Sequence, residues 1–175
     1  MANASPSSDP VTALVALEAE IKLTSVSGTR VLPLAEVITG SGQTLLAPDE
    51  IITQVRFGRP GPETRSAFIK LGRRKALAIS RMNVAVLARM EGERVAELRI
   101  SPGCIFAAPT RVTAAENLLT GKTPTPDLIR LAGEAVSAEM VEKTGVRWST
   151  AYKKPVIEAL VCRALRTAFG LPEEE

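Results

Sequence analysis

Two β-rich runs joined by a tight turn constrain the fold of this chain most. Ile79–Met90 and Val95–Ile105 flank the turn "EGER", a pattern typical of an antiparallel hairpin. The preceding stretch "RSAFIKLG" predicts a third strand. Three consecutive strands form a meander, and one face of that sheet needs cover from another part of the chain.

Three helical segments after the meander are predicted to supply this cover. "PTRVTAAENLLTGK" predicts a helix with Thr110 as its cap and Gly121 as its stop. Two longer helices follow, the last over Tyr152–Phe169. Their apolar stripes are Leu128, Leu131, Ala132, Ala135, Val136 and Met140, and then Val156, Ile157, Leu160, Val161, Leu165, Ala168 and Phe169. The predicted class is α+β, a three-stranded antiparallel sheet packed by helices on one face.

The first third of the chain has a different pattern. Residues 10–18 predict a short helix, with Asp9 as N-cap and Pro10 at the first helical position. Residues 19–33 predict a hairpin, "LAEVITGSGQTLLAPDE" a loop, and "EIITQVRF" a strand. The breaker cluster Gly58–Pro62 follows. We therefore predict two domains, residues 1–59 and 60–172.

Charge and hydropathy exclude some classes of protein. The 22 basic and 19 acidic residues are mixed, and 3% aromatic residues leave little for stacking on bases. No apolar run approaches the roughly 18 residues of a membrane span, and we expect no secretory signal and a cytoplasmic protein with reduced thiols. The basic cluster "LGRRKALAISR", with Arg73, Arg74, Lys75 and Arg81, is either a solvated loop or an anion or cofactor site.

The residue inventory offers no catalytic constellation. The chain has no histidine, and its cysteines, Cys104 and Cys162, lie far apart in apolar contexts. This excludes most zinc sites, a cluster ligated by this chain's cysteines alone and a histidine general base, and it indicates buried, inert thiols. Polar residues concentrate instead in "NASPSSDP", beside a helix start that could attract an anion. Alternatively, Asp9 only caps the helix.

Four stretches, in order along the chain, carry a resemblance to a known family. They are "NASPSSDPVTALVALEAEIKLTSVSGTRVLPL", "TLLAPDEIITQVRF", "AFIKLGRRKALAISRMNVAV" and "VRWSTAYKKPVIEALVCRAL". The chain resembles the FAD-binding medium subunits of molybdenum hydroxylases, which include xanthine dehydrogenase, aerobic carbon monoxide dehydrogenase and 4-hydroxybenzoyl-CoA reductase. The resemblance implies two FAD-binding lobes followed by a carboxy-terminal domain with an antiparallel sheet and helices.

The resemblance also implies that only part of the FAD site lies in these residues. The family holds FAD with a loop of the type Gly-Gly-Asn-Ile-x-Asn-Ala-Ser-Pro-x-x-Asp, and Met1 stands near the Ile of that loop. Residues 1–59 would be the end of the second lobe, without the first lobe. We expect a fragment or split-gene half, or a degenerate remnant kept for subunit contacts, that holds FAD poorly and is colourless when purified.

Site residues carry over from the family by position. Asp9 matches a FAD-contacting aspartate, Ile52 an apolar position near the isoalloxazine, and Lys70 a lysine in the strand after the boundary. The remaining implied cofactor-binding residues are Asn3 and Ser8 in the first loop, and Arg73 and Arg74 near the flavin edge. The family often has Asp where this chain has Ala78. No catalytic residue and no metal ligand are implied.

The implied function is electron transfer. A molybdenum-cofactor large subunit and a [2Fe–2S] small subunit would be partners, and the flavin would pass electrons to NAD or another acceptor. A further polypeptide could carry the missing lobe. The alternatives are a non-enzymatic docking module that does not bind FAD, and nucleic-acid binding through the Arg73–Arg81 cluster.

Overall fold

The structure, a computed structural model, describes residues 1–74 and 76–172. Strands dominate the first two thirds of the chain, and three helices follow them. In sequence order the elements are α1 (Asp9–Ala16), β1 (Glu20–Ser25), β2 (Gly28–Pro33), α2 (Leu34–Val37), β3 (Ile38–Gly40), β4 (Gln43–Thr44), β5 (Ile51–Arg56), β6 (Thr64–Gly72), β7 (Ser80–Glu91), β8 (Arg94–Gly103), α3 (Thr113–Leu119), α4 (Pro126–Thr144) and α5 (Thr150–Phe169). The predicted α+β class is confirmed.

The first sheet has the strand order β2-β1-β5, and both pairings are antiparallel. This confirms the predicted hairpin over residues 19–33 and the strand in "EIITQVRF". Alternation places Ile21 and Leu23 on one face, where they are fully buried together with Val11 and Val15 of α1. The opposite face of β1 carries polar residues such as Lys22 and Thr24.

The segment predicted as a loop after β2 contains regular structure. It forms the one-turn helix α2 and the two-stranded pair β3–β4. Leu34 and Val37, three residues apart, are both buried in the core under α1, and this burial stabilises a turn of helix that the glycine-rich sequence does not predict. Gly42 connects β3 to β4 with φ 70, a conformation that glycine adopts without strain. The breaker segment lies between β5 and β6, and the domain boundary assigned to it stays a prediction.

The second sheet is the predicted meander, with the order β6-β7-β8. All pairings are antiparallel, and Gly92 in the turn between β7 and β8 has φ 60. The register places Lys70 opposite Asn83, and Asn83 opposite Gly103. A lysine, an asparagine and a glycine therefore form one row across the three strands.

Helices α3 and α5 pack on one face of this sheet, and α4 packs against both of them, so helices cover one face as predicted. Every second residue of β7 contributes to the core under these helices, namely Met82, Val84, Val86 and Ala88. The predicted stripe of α5 is confirmed, since Ile157, Leu160, Val161, Leu165, Ala168 and Phe169 are all buried and Val156 packs against them.

The predicted stripe of α4 is confirmed at five positions, since Ala132, Val136 and Met140 are buried and Leu128 and Ala135 pack against the core, but it is wrong at Leu131. Leu131 is 39% exposed, whereas Ile129 is fully buried. The reason is close packing against α5, because a Cβ on Gly133 would lie 3.0 Å from both the Glu158 carbonyl oxygen and Cys162 Sγ. The predicted cap of α3 is also wrong, since Val112 occupies that position and Thr110 Oγ1 donates to the carbonyl of Arg111.

The opposite face of the second sheet is covered in part by α1. Because side chains alternate along β7, Asn83 and Ala85 point away from α3–α5. Both are buried, and Thr12 of α1 donates a hydrogen bond of 2.9 Å to Asn83 Oδ1. The first helix thus contributes to the core of the first sheet on one side and contacts the second sheet on the other.

A group of charged residues links the carboxy-terminal end of α1 to β8 and α3. Glu18 pairs with Arg99 of β8 and with Arg111. Arg111 in turn pairs at 2.7 Å with the buried carboxylate of Glu116, which also accepts from the Ile100 backbone N–H at 2.8 Å. The ion pairs of Glu18 hold the end of the helix next to the sheet, and removal of Arg111 would leave the buried Glu116 carboxylate without its charged partner.

Replacement of Gly103 tests how closely α1 approaches the sheet. A Cβ at this position would lie 2.0 Å from Asn83 Oδ1 and 2.4 Å from Thr12 Oγ1. We expect Gly103→Ala to lower the free energy of unfolding by about 1–3 kcal/mol, since these atoms would have to separate. Urea unfolding followed by circular dichroism measures this loss.

The matched control is Gly58→Ala, because a Cβ on Gly58 would meet nothing within 4 Å. This change should alter stability by no more than about 0.5 kcal/mol. Equal effects of the two substitutions would contradict close packing at Gly103.

Candidate functional site

The candidate site is built around Asp9, at the start of α1. Ser8 is the N-cap residue, and Asp9 is the first residue of the helix, so the predicted capping role of Asp9 is wrong. The helix begins without a side-chain cap hydrogen bond. The Asp9 carboxylate is instead turned towards the second sheet, where donors from two strands reach it.

Three side chains donate hydrogen bonds to Asp9. Lys70 Nζ lies 2.6 Å from Oδ2, while Ser80 Oγ and Asn83 Nδ2 lie 2.5 and 2.7 Å from Oδ1. Asn83 also accepts the bond from Thr12 described above, so its amide is held at both ends. We call these five residues, Thr12, Asp9, Lys70, Ser80 and Asn83, the Asp9 network.

The network stabilises the ionised form of Asp9. Partial burial raises the pKa of the carboxyl, but hydrogen bonds from Lys70, Ser80 and Asn83 and the positive charge of Lys70 lower it by more. The pKa therefore lies below its usual range. About a third of each side chain in the Asp9–Lys70 pair is exposed, so the pair borders solvent.

A groove next to the network is lined by basic residues of the loop after β6. Lys70, Arg73 and Arg74 lie along it with Leu77 and Ala78. The Arg74 side chain is fixed by two hydrogen bonds to the carbonyl of Leu77, at 3.2 and 2.6 Å. Both arginines are exposed, and Lys75 lies outside the described residues. The groove therefore concentrates positive charge beside a negatively charged carboxylate that accepts three hydrogen bonds.

The structure separates the predicted site residues into two groups. Asp9 and Lys70 are in contact, and Lys70 shares its groove with Arg73 and Arg74. Asn3 is exposed in the loop before α1, and Ile52 packs against the core formed by α1, β1 and α2. Among the described residues neither Asn3 nor Ile52 lines that groove.

Sequence reasoning missed the polar partners Thr12, Ser80 and Asn83, and it missed Gly103. One signal was available: Asn83 interrupts the apolar run "MNVAVLA", and an amide buried in a strand requires hydrogen-bond partners. The partners themselves come from residues about 70 positions away in the chain. Only the packing of α1 on the sheet brings them together.

The thiols are half-buried rather than fully buried. Burial and the negative charge of Asp9 raise the pKa of Cys104 to about 11, which keeps it protonated at neutral pH. Cys162 Sγ lies 3.6 Å from the carbonyl oxygen of Ile129. Within residues 1–74 and 76–172, no group of three or more Cys, Asp or Glu side chains could hold a metal ion, and no helix has the length and hydropathy to cross a membrane.

Comparison with protein families identifies the class of this fold and site. Residues 67–168 match the family described as the CO dehydrogenase flavoprotein C-terminal domain, and the chain belongs to that family. Residues 1–60 match the FAD binding domain in molybdopterin dehydrogenase. The resemblance to medium subunits of molybdenum hydroxylases is thereby confirmed.

Individual relatives agree with this assignment. The nicotinate dehydrogenase FAD-subunit of Eubacterium barkeri is 30% identical over 164 residues, which are 91% of this chain and 55% of that protein. The carbon monoxide dehydrogenase medium chain of Hydrogenophaga pseudoflava is 27% identical over 170 residues, which are 97% of this chain and 59% of that protein. In a solved structure, carbon monoxide dehydrogenase from the same organism, lacking the Mo-pyranopterin moiety, superposes with a TM-score of 0.87 at 27% identity, over 97% of this chain and 58% of that one. The chain thus spans a little over half the length of these relatives.

The lowered pKa of Asp9 predicts a specific pH dependence of stability. Because the folded-state pKa lies below the unfolded value of about 4, the ionised carboxylate stabilises the fold above that pH, and this contribution is lost as the pH falls through the folded-state pKa. We expect Asp9→Asn to lower the free energy of unfolding at pH 7 by about 1–2 kcal/mol, since solvent partly screens the Asp9–Lys70 pair.

Urea unfolding of both proteins from pH 7 to pH 3 checks this expectation. The difference between wild type and Asp9→Asn should shrink in acid. Glu142→Gln, which removes an exposed carboxylate on α4, should show a much smaller difference at every pH. A difference for Asp9→Asn that is independent of pH would mean that the charge of Asp9 does not stabilise the fold.

Proposed function

We propose that this chain is part of the FAD-binding component of a cytoplasmic molybdenum hydroxylase and helps to pass electrons from iron–sulfur clusters to a flavin. The observation that carries the proposal is the junction of the Asp9 network with the basic groove of Lys70, Arg73 and Arg74. The matches of both halves of the chain to flavoprotein families support it.

The residues of this junction fit a flavin nucleotide. FAD, when bound, supplies the redox chemistry, while the protein orients it and adjusts its potential. The cationic side chains of the groove would attract its negatively charged groups and favour its reduced, more negative form. The Asp9 carboxylate would hold Lys70 in place and could accept a hydrogen bond from a flavin N–H or O–H group, since Oδ2 contacts only Lys70 among the described residues.

The proposed complex contains further subunits. A large subunit with the molybdenum cofactor would oxidise the substrate, and a small subunit with [2Fe–2S] clusters would carry electrons to the flavin. NAD or another acceptor would then take them. Another polypeptide, or a further part of the same one, would contribute the remaining lobe of the FAD site, because the relatives are longer than this chain.

One observation favours a second candidate, a docking module that does not bind FAD. The Asp9 carboxylate already accepts three hydrogen bonds from protein donors, and it fastens α1 to the sheet without any ligand. In that case the Asp9 network would be purely structural. The two candidates differ in whether the basic groove has any affinity for FAD.

FAD titration separates the candidates. We expect the purified chain to be colourless and to bind added FAD weakly. Affinity should rise when the segment of the H. pseudoflava medium chain that has no counterpart here is supplied as a separate polypeptide. The double substitution Arg73→Ala/Arg74→Ala should then weaken binding about tenfold or more, because charge-assisted contacts are lost. Flavin fluorescence and absorbance measure both effects.

The control is Arg130→Ala, which removes an arginine that is 58% exposed on α4 and should leave FAD affinity unchanged. Absence of FAD binding with the added segment present would favour the docking module. A stoichiometric flavin spectrum in the chain as purified would refute the expectation that these residues alone hold FAD poorly.

A further inference from the structure

Five large apolar side chains are exposed at one end of the second sheet. Two lie in the loop between β6 and β7, two lie in the connection between α4 and α5, and one lies in the first turn of α5. Their exposed fractions are 92% for Leu77, 77% for Ile79, 83% for Val146, 97% for Trp148 and 47% for Tyr152. We call these five residues the end patch. Clustered apolar exposure of this kind is typical of a surface that another molecule covers.

Contacts between the start of β7 and the start of α5 bring the two parts of the end patch to the same end of the sheet. The guanidinium carbon of Arg81, at the start of β7, lies 6.0 Å from the centroid of the Tyr152 ring. One residue further along α5, Lys153 Nζ donates a 3.1 Å hydrogen bond to the carbonyl of Cys104. Cys104 Sγ in turn lies 3.6 Å from the carbonyl oxygen of Ser80. The start of α5 is therefore held beside the start of β7.

Basic side chains predominate around the end patch, although the Asp9 carboxylate lies next to the start of β7, where it pairs with Lys70. The sequence has no acidic residue from Thr64 to Met90 or from Lys143 to Ile157, although these stretches contain seven and four of its 22 basic residues. Arg73, Arg81 and Arg147 are exposed beside the apolar side chains. Helix α5 also has no acidic residue in its first turn, where the helix dipole favours negative charge. The potential over this surface is therefore complementary to an acidic partner.

We propose that the end patch binds an acidic surface of a partner protein subunit. Trp, Tyr and Arg are the residues that most often carry binding energy at protein interfaces, and the patch combines them with a rim of arginine and lysine. A second copy of this chain, packed face to face, would bring like charges together. The proposal rests on the proposed function in one respect: the partner belongs to the same complex. It would dock beside the groove of Lys70, Arg73 and Arg74, because Leu77 lines that groove and also belongs to the patch.

Photo-crosslinking in the native complex tests the proposal. The chain is produced in its source cells with a purification tag and with p-benzoylphenylalanine in place of Trp148. The matched control carries this residue in place of Val26, which is 105% exposed in the turn between β1 and β2. We expect position 148, and not position 26, to crosslink to a co-purifying subunit at a peptide rich in Asp and Glu. Mass spectrometry identifies the peptide.

Substitutions measure how much the patch contributes. Leu77→Ala/Trp148→Ala should lower the amount of co-purifying subunit at least about tenfold, as expected for truncated interface anchors, and Val26→Ala should have no effect. The side chains are exposed, so thermal unfolding of the isolated variant should match wild type. Arg147→Glu should reduce the amount of co-purifying subunit, and the reduction should be larger at low salt than at high salt, because salt screens the charge interaction.

Several outcomes would overturn the proposal. These are crosslinks of position 148 to the same chain, to nucleic acid or to lipid, crosslinks at both positions alike, no co-purifying subunit, or full co-purification with Leu77→Ala/Trp148→Ala.

Fluorescence of Trp148, the single tryptophan, gives an independent check: a blue shift with anionic phospholipid vesicles or with duplex DNA would assign the patch to those ligands. Flavin content of the purified complex is read separately. A crosslinked complex without flavin would sustain the docking surface and refute the proposed function.

Discussion

The hydrogen-bonded carboxylate of Asp9 is the interaction on which the arrangement of this protein depends. Asp9 begins a short helix that belongs to the core of the first sheet, yet its side chain is bound by two strands of the second sheet. At the other end of the same helix, Glu18 pairs with Arg99 and Arg111. A helix of two turns is thus held at both ends by charged groups. The charged groups at both ends have hydrogen-bond or ion-pair partners. Partly buried charges stabilise a fold only when they are paired in this way.

Much of the fold could be predicted from local patterns, because the apolar residues of most predicted helices and strands lie on the faces that are buried in the structure. The meander and α5 are examples: apolar alternation and a 3.6-residue stripe both indicate which face is buried. Helix α4 shows where this fails. Its sequence offers two overlapping stripes, and the close approach of Gly133 to α5 selects the one with Ile129. Periodicity cannot detect this, since it records where apolar residues lie and not where a neighbouring backbone comes near.

The candidate site could be predicted only in part for a related reason. Asp9 and Lys70 were named from a family resemblance, but nothing local indicates that they meet. Asp9 sits where a capping residue would be expected, and its neighbour Ser8 takes that position while Asp9 turns to the sheet. Ser80 and Asn83 complete the site from a largely apolar strand, in which the buried amide of Asn83 indicates that a partner exists but not which residue it is. A carboxylate with partners 61 to 74 residues away is a property of tertiary packing. Local propensities carry no information about it.

The half-buried thiol of Cys104 lies where its reactivity depends on the packing of α1 against the second sheet. Its sulfur lies against the carbonyl of Ser80 in the strand that binds Asp9, and its raised pKa makes it a poor nucleophile while α1 stays in place. If α1 separates from the sheet, the thiol loses the neighbouring Asp9 carboxylate that helps to suppress its ionisation. Alkylation of Cys104 would then be faster in the open state, and with a reagent that reacts faster than the helix recloses, its rate would equal the rate of local opening at the junction of the two sheets.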